Sequence, residues 1–280
     1  MRETPVGFRT LMRLVSYDSG EGPHAGRLEG DTVVALGEGG VGALLRRGLD
    51  GAREDGQTHQ LSEVTLLAPV PDPGKIVCIG LNYRSHAEEQ GAEPPVTPTI
   101  FAKYANALVA HGTRVSLPAN SRKVDYEAEV AFVISRRASQ VAEADALDHV
   151  AGYTLLNDLS ARDLQFSTPQ WMPGKVFDGS APCGPALVTP DEAGPHDAIE
   201  IGLTLNGEQM QQATTADLVH SIPALVAHLS GLMTLEPGDL VSTGTPAGVG
   251  SLRDPKVWLK AGDEVVIESP QLGVLATSLA

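Results

Sequence analysis

The chain is patterned in short pieces. Runs of roughly four to eight apolar or alternating residues, closed off by Gly, Pro, Asn or Asp, recur from end to end and read as β-strands. LMRLVSY (11–17) and DTVVALG (31–37) are the first two, and a Gly-rich, charged turn region, DSGEGPHAGRLEG (18–30), lies between them. VGALLRRGL (41–49) repeats its apolar positions at helical spacing and predicts a short amphipathic helix. A polar loop, REDGQTHQ (53–60), follows it. Val70-Pro71-Asp72-Pro73-Gly74 is dense punctuation. It marks the expected boundary between a small N-terminal α/β domain, 1–70, whose first 11 residues read as a loose extension, and a larger domain, 71–280.

Beyond that boundary KIVCIGL (75–81) reads as a strand. SHAEEQG (85–91) reads as a helix start, with Ser85 as its N-cap and acids in the first turn. FAKYANALVAH (101–111), VDYEAEVAFVIS (124–135) and VAGYTLLND (150–158) are strand candidates, with a helix, VAEADALDH (141–149), between the last two. FSTPQWMPGKVFDGSAPCGP (166–185) reads as a long loop. IEIGLTLNGEQMQ (199–211) is the clearest hairpin, two alternating runs meeting at Asn206-Gly207. SIPALVAHLSGLM (221–233) is an amphipathic helix with Pro223 near its first turn, and GDLVSTGTPAGVG (238–250) and DEVVIES (263–269) supply late strands. Strands outnumber helices, which predicts an α+β, mostly β fold. No G-x-G-x-x-G follows a strand, so a dinucleotide-binding sheet has little support.

Composition narrows the partners. Asp+Glu number 35 against 20 Lys+Arg in 280 residues, a formal net charge of −15. Nucleic acid needs clustered Lys and Arg, and anionic membrane needs a basic face, so neither is an expected partner. No apolar run approaches the roughly 18–20 residues of a membrane span, and the N-terminal residues lack the apolar core of a secretory signal. Cys78 and Cys183 are the only cysteines, without zinc spacing or a disulfide framework. A reduced, cytoplasmic protein is the expectation.

The acidic surplus says little until its placement is considered. In a strand, alternate residues share a face, so Glu127 and Glu129 of Val124–Ile134 fall together. Two adjacent carboxylates on an otherwise buried strand persist if solvent, a shared proton or a cation relieves them. A hard divalent cation suits such oxygen donors, and a strand with one solvent-facing side suits them equally. Asp158 closes the next strand, where it could complete a metal site or cap the turn that follows. His86 and Glu89 lie three apart on a helix, hence on one face. That pair is either a surface ion pair or an imidazole oriented as a general base. Lys175, in the Gly-Pro loop, is either solvated or placed to stabilise an oxyanion. The segment 242–250 is a Gly-rich turn without a P-loop ending, either an ordinary turn or a backbone cradle for a carboxylate.

The order of these signals carries more than any one of them. I-G-L-N-Y-x-x-H-A-x-E, D-Y-E-x-E, N-D-x-S-A-R-D-x-Q, G-K before A-P-x-G-P, and T-G-T-P-x-G-V-G follow one another between Lys75 and Gly250. In that order they resemble the fumarylacetoacetate hydrolase family, on its acylpyruvate hydrolase and 2-hydroxyhepta-2,4-diene-1,7-dioate isomerase side. The resemblance implies a mixed β-sandwich roll with a small N-terminal domain, a Mg²⁺, Mn²⁺ or Ca²⁺ site and a homodimer. It implies Glu127, Glu129 and Asp158 as metal ligands, His86 and Glu89 as the water-activating dyad, and Lys175 as the catalytic lysine. Arg162, Gln165 and Thr245, with Tyr83 and Lys103, would line the substrate site. Ser85, where many members carry Asp, and Val176–Ser180, where F-D-T-F is common, depart from the pattern.

The implied activity is hydrolysis of the C–C bond of a 1,3-diketo acid, of acylpyruvate or fumarylacetoacetate type, through a metal-bound enolate. The same enolate serves a decarboxylase or isomerase of a 2-oxo diacid, and a non-catalytic cation-binding scaffold is the third reading.

Overall fold

The computed structural model describes residues 13–49 and 56–280. The expected loose extension at 1–11 and the start of the loop at 53–60 lie outside the described residues. Two strands form the centre, Ala128–Ile134 and Val150–Asn157, and every residue in both is buried. Their patterns do not alternate because both faces of the sheet are covered. Val130, Phe132 and Ile134 point into one apolar core, while Ala131 and Val133 point into another.

The two strands pair antiparallel, with Ala128 opposite Asn157 and Glu129 opposite Leu156. They sit inside a twelve-stranded sheet. On one side Ala128–Ile134 pairs with Leu240–Ser242, which runs parallel to Ile76–Gly80, and Thr99–Lys103 forms the edge. On the other side Val150–Asn157 pairs with Ala181–Val188, which pairs in turn with Arg13–Asp18. Pro23–Glu29, Thr32–Glu38 and Thr58–Gln60 continue outward from there. The sheet therefore runs without a break across the Pro/Gly punctuation at 70–74.

A second sheet of five strands packs over the first core. It contains the hairpin Glu200–Leu205 and Glu208–Thr214, whose Asn206 and Gly207 both take positive φ, 52° and 81°. This is the mirror-image turn that Asn-Gly favours. Ile201, Leu203, Val265, Ile267 and Leu275 fill that core with the helix Ile222–Leu232. Ser221 caps the helix, accepting a hydrogen bond from the Ala224 amide. The helix Gly40–Arg47 covers the opposite face through Val41, Leu44 and Leu45. Helices on two packed sheets make the class α+β and mostly β.

Several local expectations change. The presumed turn region holds a strand, Pro23–Glu29, and the polar loop holds another, Thr58–Gln60. Thr58–Gln60 is a sheet-edge piece, and Pro23–Glu29, although paired on both sides, has only Ala25 and Gly26 buried, so no apolar run betrays either. VAEADALDH forms a 3-10 helix, Glu143–His149, and the loop at 166–185 contains the start of the strand Ala181–Val188. The run 101–111 breaks into Thr99–Lys103, a 3-10 turn and Leu108–Val109. Tyr83, not Ser85, is the N-cap of Arg84–Glu89. Ser85 instead donates its amide and hydroxyl to Asp217, at 3.1 and 2.5 Å. Cys78 and Cys183 are buried free thiols. Among the described residues no helix is long and apolar enough to cross a membrane.

Candidate active site

The run of 124–135 is interrupted at Tyr126–Glu127, and this break builds the site. Glu127 lies just before Ala128–Ile134, Glu129 is its second residue, and Asp158 follows Val150–Asn157 directly. The antiparallel register brings the two ends together, and the Asp158 amide donates to the Glu127 carbonyl at 2.9 Å. One carboxylate oxygen from each of Glu127, Glu129 and Asp158 lies within 4.8 Å of the others, and all three residues are buried.

Three buried cations face this cluster. The Lys175 ammonium contacts Glu127 and Asp158, each at 2.6 Å, and sits 4.9 Å from the centre of the Phe101 ring. Lys103 contacts the other Asp158 oxygen at 2.7 Å and also donates to the Lys175 carbonyl. Arg162 contacts Glu127 at 2.7 Å and Asp125 at 2.9 Å, and donates to Gln165 at 3.0 Å. Asp158 is therefore an ion-pair partner and caps no helix.

Glu127 and Glu129 have opposite surroundings. Burial pushes the Glu127 carboxyl up, but Lys175 and Arg162 outweigh it and bring it down to about 2. Burial, reinforced by Asp158 and Glu127, pushes Glu129 up to about 8. Glu129 accepts hydrogen bonds from the Ser242 hydroxyl and from the Gly244 amide at 3.1 Å, and forms no ion pair among the described residues. Three converging carboxylates, one of them without a cation, are a donor set that fits a hard divalent ion.

The short helix Arg84–Glu89 supplies the dyad. His86 Nδ1 and Glu89 Oε2 are 3.0 Å apart, and His86 Nε2 lies 2.8 Å from the Gln90 side-chain nitrogen. The consistent assignment has Nδ1–H donating to Glu89 and Nε2 accepting from Gln90. Nε2 then carries the ring's one lone pair, which the Gln90 amide occupies and must release before the ring can take a proton. Glu89 is held in turn, because its other oxygen accepts the Gly248 amide at 2.8 Å.

The Gly-rich turn cradles carboxylates belonging to the chain itself. Besides Gly244 on Glu129 and Gly248 on Glu89, the amides of Gly250 and Ser251 donate to Asp125 at 2.8 and 3.0 Å. Gly248 takes φ +104°, and a Cβ there would lie 2.1 Å from the Met210 carbonyl oxygen, so only glycine fits. One loop thus ties the dyad, the acid cluster and the Asp125–Arg162 pair together.

A cavity of about 70 Å³ opens onto the cluster, lined by His86, Glu127, Glu129, Arg162, Lys175 and Thr245 among others. Gln165 also lines it. Tyr83 and Lys103, expected to contact substrate, do not line this cavity. Tyr83 is fully buried and its backbone bridges to Leu218, and the Lys103 ammonium is paired with Asp158.

Comparison with known proteins follows the same residues. Residues 75–280 match the family model for the fumarylacetoacetate (FAA) hydrolase C-terminal domain, and residues 12–69 match an Rv2993c-like N-terminal model. The chain belongs to the fumarylacetoacetate hydrolase family. A curated relative, the oxaloacetate tautomerase FAHD2A, mitochondrial, of Bos taurus, is 47% identical over 217 residues, covering 76% of this chain and 69% of the relative. The 2-hydroxyhepta-2,4-diene-1,7-dioate isomerase structure from Mycobacterium marinum has 34% identity and a TM-score of 0.82, covering 96% of this chain and 98% of that one. Maleylpyruvate hydrolase from Sphingobium sp. SYK-6 has 31% identity and a TM-score of 0.80, covering 96% and 99%.

Fumarylacetoacetate hydrolase family motifs thus mark most of the cluster, but several of its supports escape sequence reading. Gln211 accepts the Ala128 amide and donates to Thr245 at 2.9 Å. Trp171 packs edge-on to Phe101 and sits against Gly80, where a Cβ would lie 2.2 Å from its ring. Asp125 was the readable case, since it belongs to D-Y-E-x-E. Gln211 and Trp171 lie in a hairpin and a loop that carry no pattern of their own.

Proposed function

We propose that this chain catalyses keto–enol interconversion of a 2-oxo diacid of the oxaloacetate type. The observation that carries the reading is the buried Glu127–Glu129–Asp158 cluster opening onto one small cavity with His86 and Lys175. Glu127, Glu129 and Asp158 would hold Mg²⁺ or Mn²⁺, with Ca²⁺ as an alternative, and such an ion supplies a Lewis acid for the 2-oxo oxygen.

The residues then divide the work. Once Gln90 releases it, His86 Nε2 takes a proton from C3 of the keto form, leaving an enolate whose 2-oxygen takes a proton from water; in reverse the enol O–H gives its proton to water and the imidazolium delivers one to C3. Glu89 keeps the proton on Nδ1, which holds the ring in the right tautomer and stabilises the imidazolium that forms. The Lys175 ammonium, raised in pKa because Asp158 and Glu127 outweigh the effect of burial, stays charged and stabilises negative charge on the substrate oxygen. Arg162, already bound to Asp125 and Glu127, is a fixed donor on the cavity wall. The relative's name supports this substrate type.

A second reading draws on the same dyad. His86 Nε2 equally suits proton removal from a water, which then adds to the distal carbonyl of an acylpyruvate and breaks the C–C bond. The fixed Nδ1–Glu89 contact and the hydrolase neighbour favour it.

The deciding experiment follows ultraviolet absorbance of the oxaloacetate enol with purified protein and Mg²⁺ or Mn²⁺, beside acetylpyruvate under the same conditions. Accelerated decay of the enol, abolished by a chelator, is the expected result. Cleavage of acetylpyruvate without any effect on the enol would replace the first reading by the second.

A further inference from the structure

The second sheet reaches the acid cluster through a single side chain, Gln211. In the hairpin Glu200–Leu205 and Glu208–Thr214 the register slips by one residue, so that Leu203 faces Gln211, Thr204 faces Gln209, and Met210 is left over. Such a bulge breaks the alternation of a strand and re-aims a side chain. Met210 and Gln211 are accordingly both buried, while Gln209 and Gln212 on either side are exposed. The Gly-rich turn clamps the bulge. Arg253 donates to the Met210 carbonyl at 2.7 Å, and a Cβ on Gly248 would lie 3.3 Å from Gln211 Cγ.

The partners of Gln211 fix which way its amide points. Oε1 accepts the amide of Ala128, the residue between the two glutamates, at 2.9 Å. A backbone N–H only donates, so Oε1 and Nε2 cannot be exchanged. Nε2 gives its two hydrogens to the Thr245 hydroxyl oxygen at 2.9 Å and to the Pro246 carbonyl at 2.8 Å. Thr245 therefore accepts from Gln211 and retains its own hydroxyl hydrogen. That hydrogen has no acceptor among the described residues, and Thr245 lines the cavity that opens onto the cluster.

We propose that Gln211 is a positioning residue, which turns the Thr245 hydroxyl hydrogen away from the protein and toward the head carboxylate of a 2-oxo acid. The proposal rests on the reading of the acid cluster as the 2-oxo acid site. Without the Gln211 bond the hydroxyl rotates freely, and the donor is no longer aimed before the ligand arrives. The head carboxylate keeps its charge throughout keto–enol interconversion. The contact thus holds ground state and transition state alike, and its loss belongs in KM rather than kcat.

Calorimetric titration of the Mn²⁺-saturated protein with oxalate, which offers the head and nothing beyond it, reads a cycle of native protein, Q211M, T245V and the double variant. Q211M is expected to weaken oxalate about tenfold in the native background, near the value of a hydrogen bond to a charged group. In the T245V background it should cost less than twofold, because the hydroxyl it aims is already gone. T245S, which keeps the hydroxyl, should restore binding to within threefold of native. Equal losses from Q211M in both backgrounds would mean that Gln211 only supports the Ala128 backbone, and would overturn the proposal. Should Q211M not fold, Q211E takes its place in the same cycle. It retains the acceptor for the Ala128 amide, draws the Thr245 hydroxyl toward itself, and adds a charge whose effect on both backgrounds cancels. In steady-state kinetics Q211M should raise KM for oxaloacetate about tenfold with kcat within threefold, and a fall in kcat at unchanged KM also overturns the proposal. Failure of oxalate to bind the native protein contradicts the acid-cluster reading instead.

Discussion

The acid cluster and the dyad are built by different means. Glu127, Glu129 and Asp158 project from the ends of two wholly buried central strands, and paired backbone fixes their spacing. His86 and Glu89 stand on a helix of six residues, held to the rest by Gly248 on Glu89 and Asp217 on Ser85. On the proposed reading the sheet sets where charge is stabilised, and the helix with its loop sets what moves the proton. Relatives bearing tautomerase, isomerase and hydrolase names share this family, as expected if the cluster specifies an enolate and the periphery specifies its fate.

Removing a cluster residue should have the largest effect. Glu129→Gln is expected to lower kcat/KM for oxaloacetate enol conversion at least about 10³-fold and to abolish Mn²⁺ binding. His86→Ala should cost about 10²–10³-fold in kcat, within the range for general bases, while Mn²⁺ affinity stays within about threefold. Equal loss of metal and activity in His86→Ala would erase the proposed distinction between cluster and dyad. Steady-state kinetics with parallel metal titrations reads both variants.

How much of this was legible follows from the same contrast. The hairpin at Asn206-Gly207, the helix behind Pro223 and the central strands announce themselves, because local turn chemistry and apolar runs agree with the fold. The acidic motif was also readable, yet the expectation that one continuous strand carries Glu127 and Glu129 fails at Tyr126–Glu127. That break matters, because it turns Glu127 toward Lys175 and Arg162. The strands Pro23–Glu29 and Thr58–Gln60 carry no apolar run: the first is rich in Gly, Pro and charge although it pairs with both sequence neighbours, and the second is a polar edge piece paired with Thr32–Val34. The resemblance implies Lys103 and Tyr83 at the substrate site, and neither lines the small cavity: Lys103 is paired with Asp158 and Tyr83 is fully buried.

A smaller effect sharpens the contrast within the cluster. Glu127 sits below its usual 4.5, so its contribution to stability is present above that pH and lost as pH falls through about 2. Glu129 sits above 4.5, so in metal-free protein its contribution is full below 4.5 and lost as pH rises through about 8. Glu127→Gln in chelator at pH 8 should therefore destabilise by about 3 kcal/mol, because it breaks buried pairs. Glu129→Gln should leave the metal-free protein as stable or more so. Urea unfolding of the two variants reads the difference, and equal destabilisation would show that the two carboxylates share one environment.

The most direct test of the central claim is Mn²⁺ binding by electron paramagnetic resonance, measured at pH 5.5 and pH 8. One ion per chain is expected, bound at least tenfold more tightly at pH 8, because the Glu129 proton must leave before the third carboxylate can coordinate. Absence of binding at pH 8, or binding that survives in Glu129→Gln with unchanged affinity, would contradict the assignment of Glu127, Glu129 and Asp158 as one cation site.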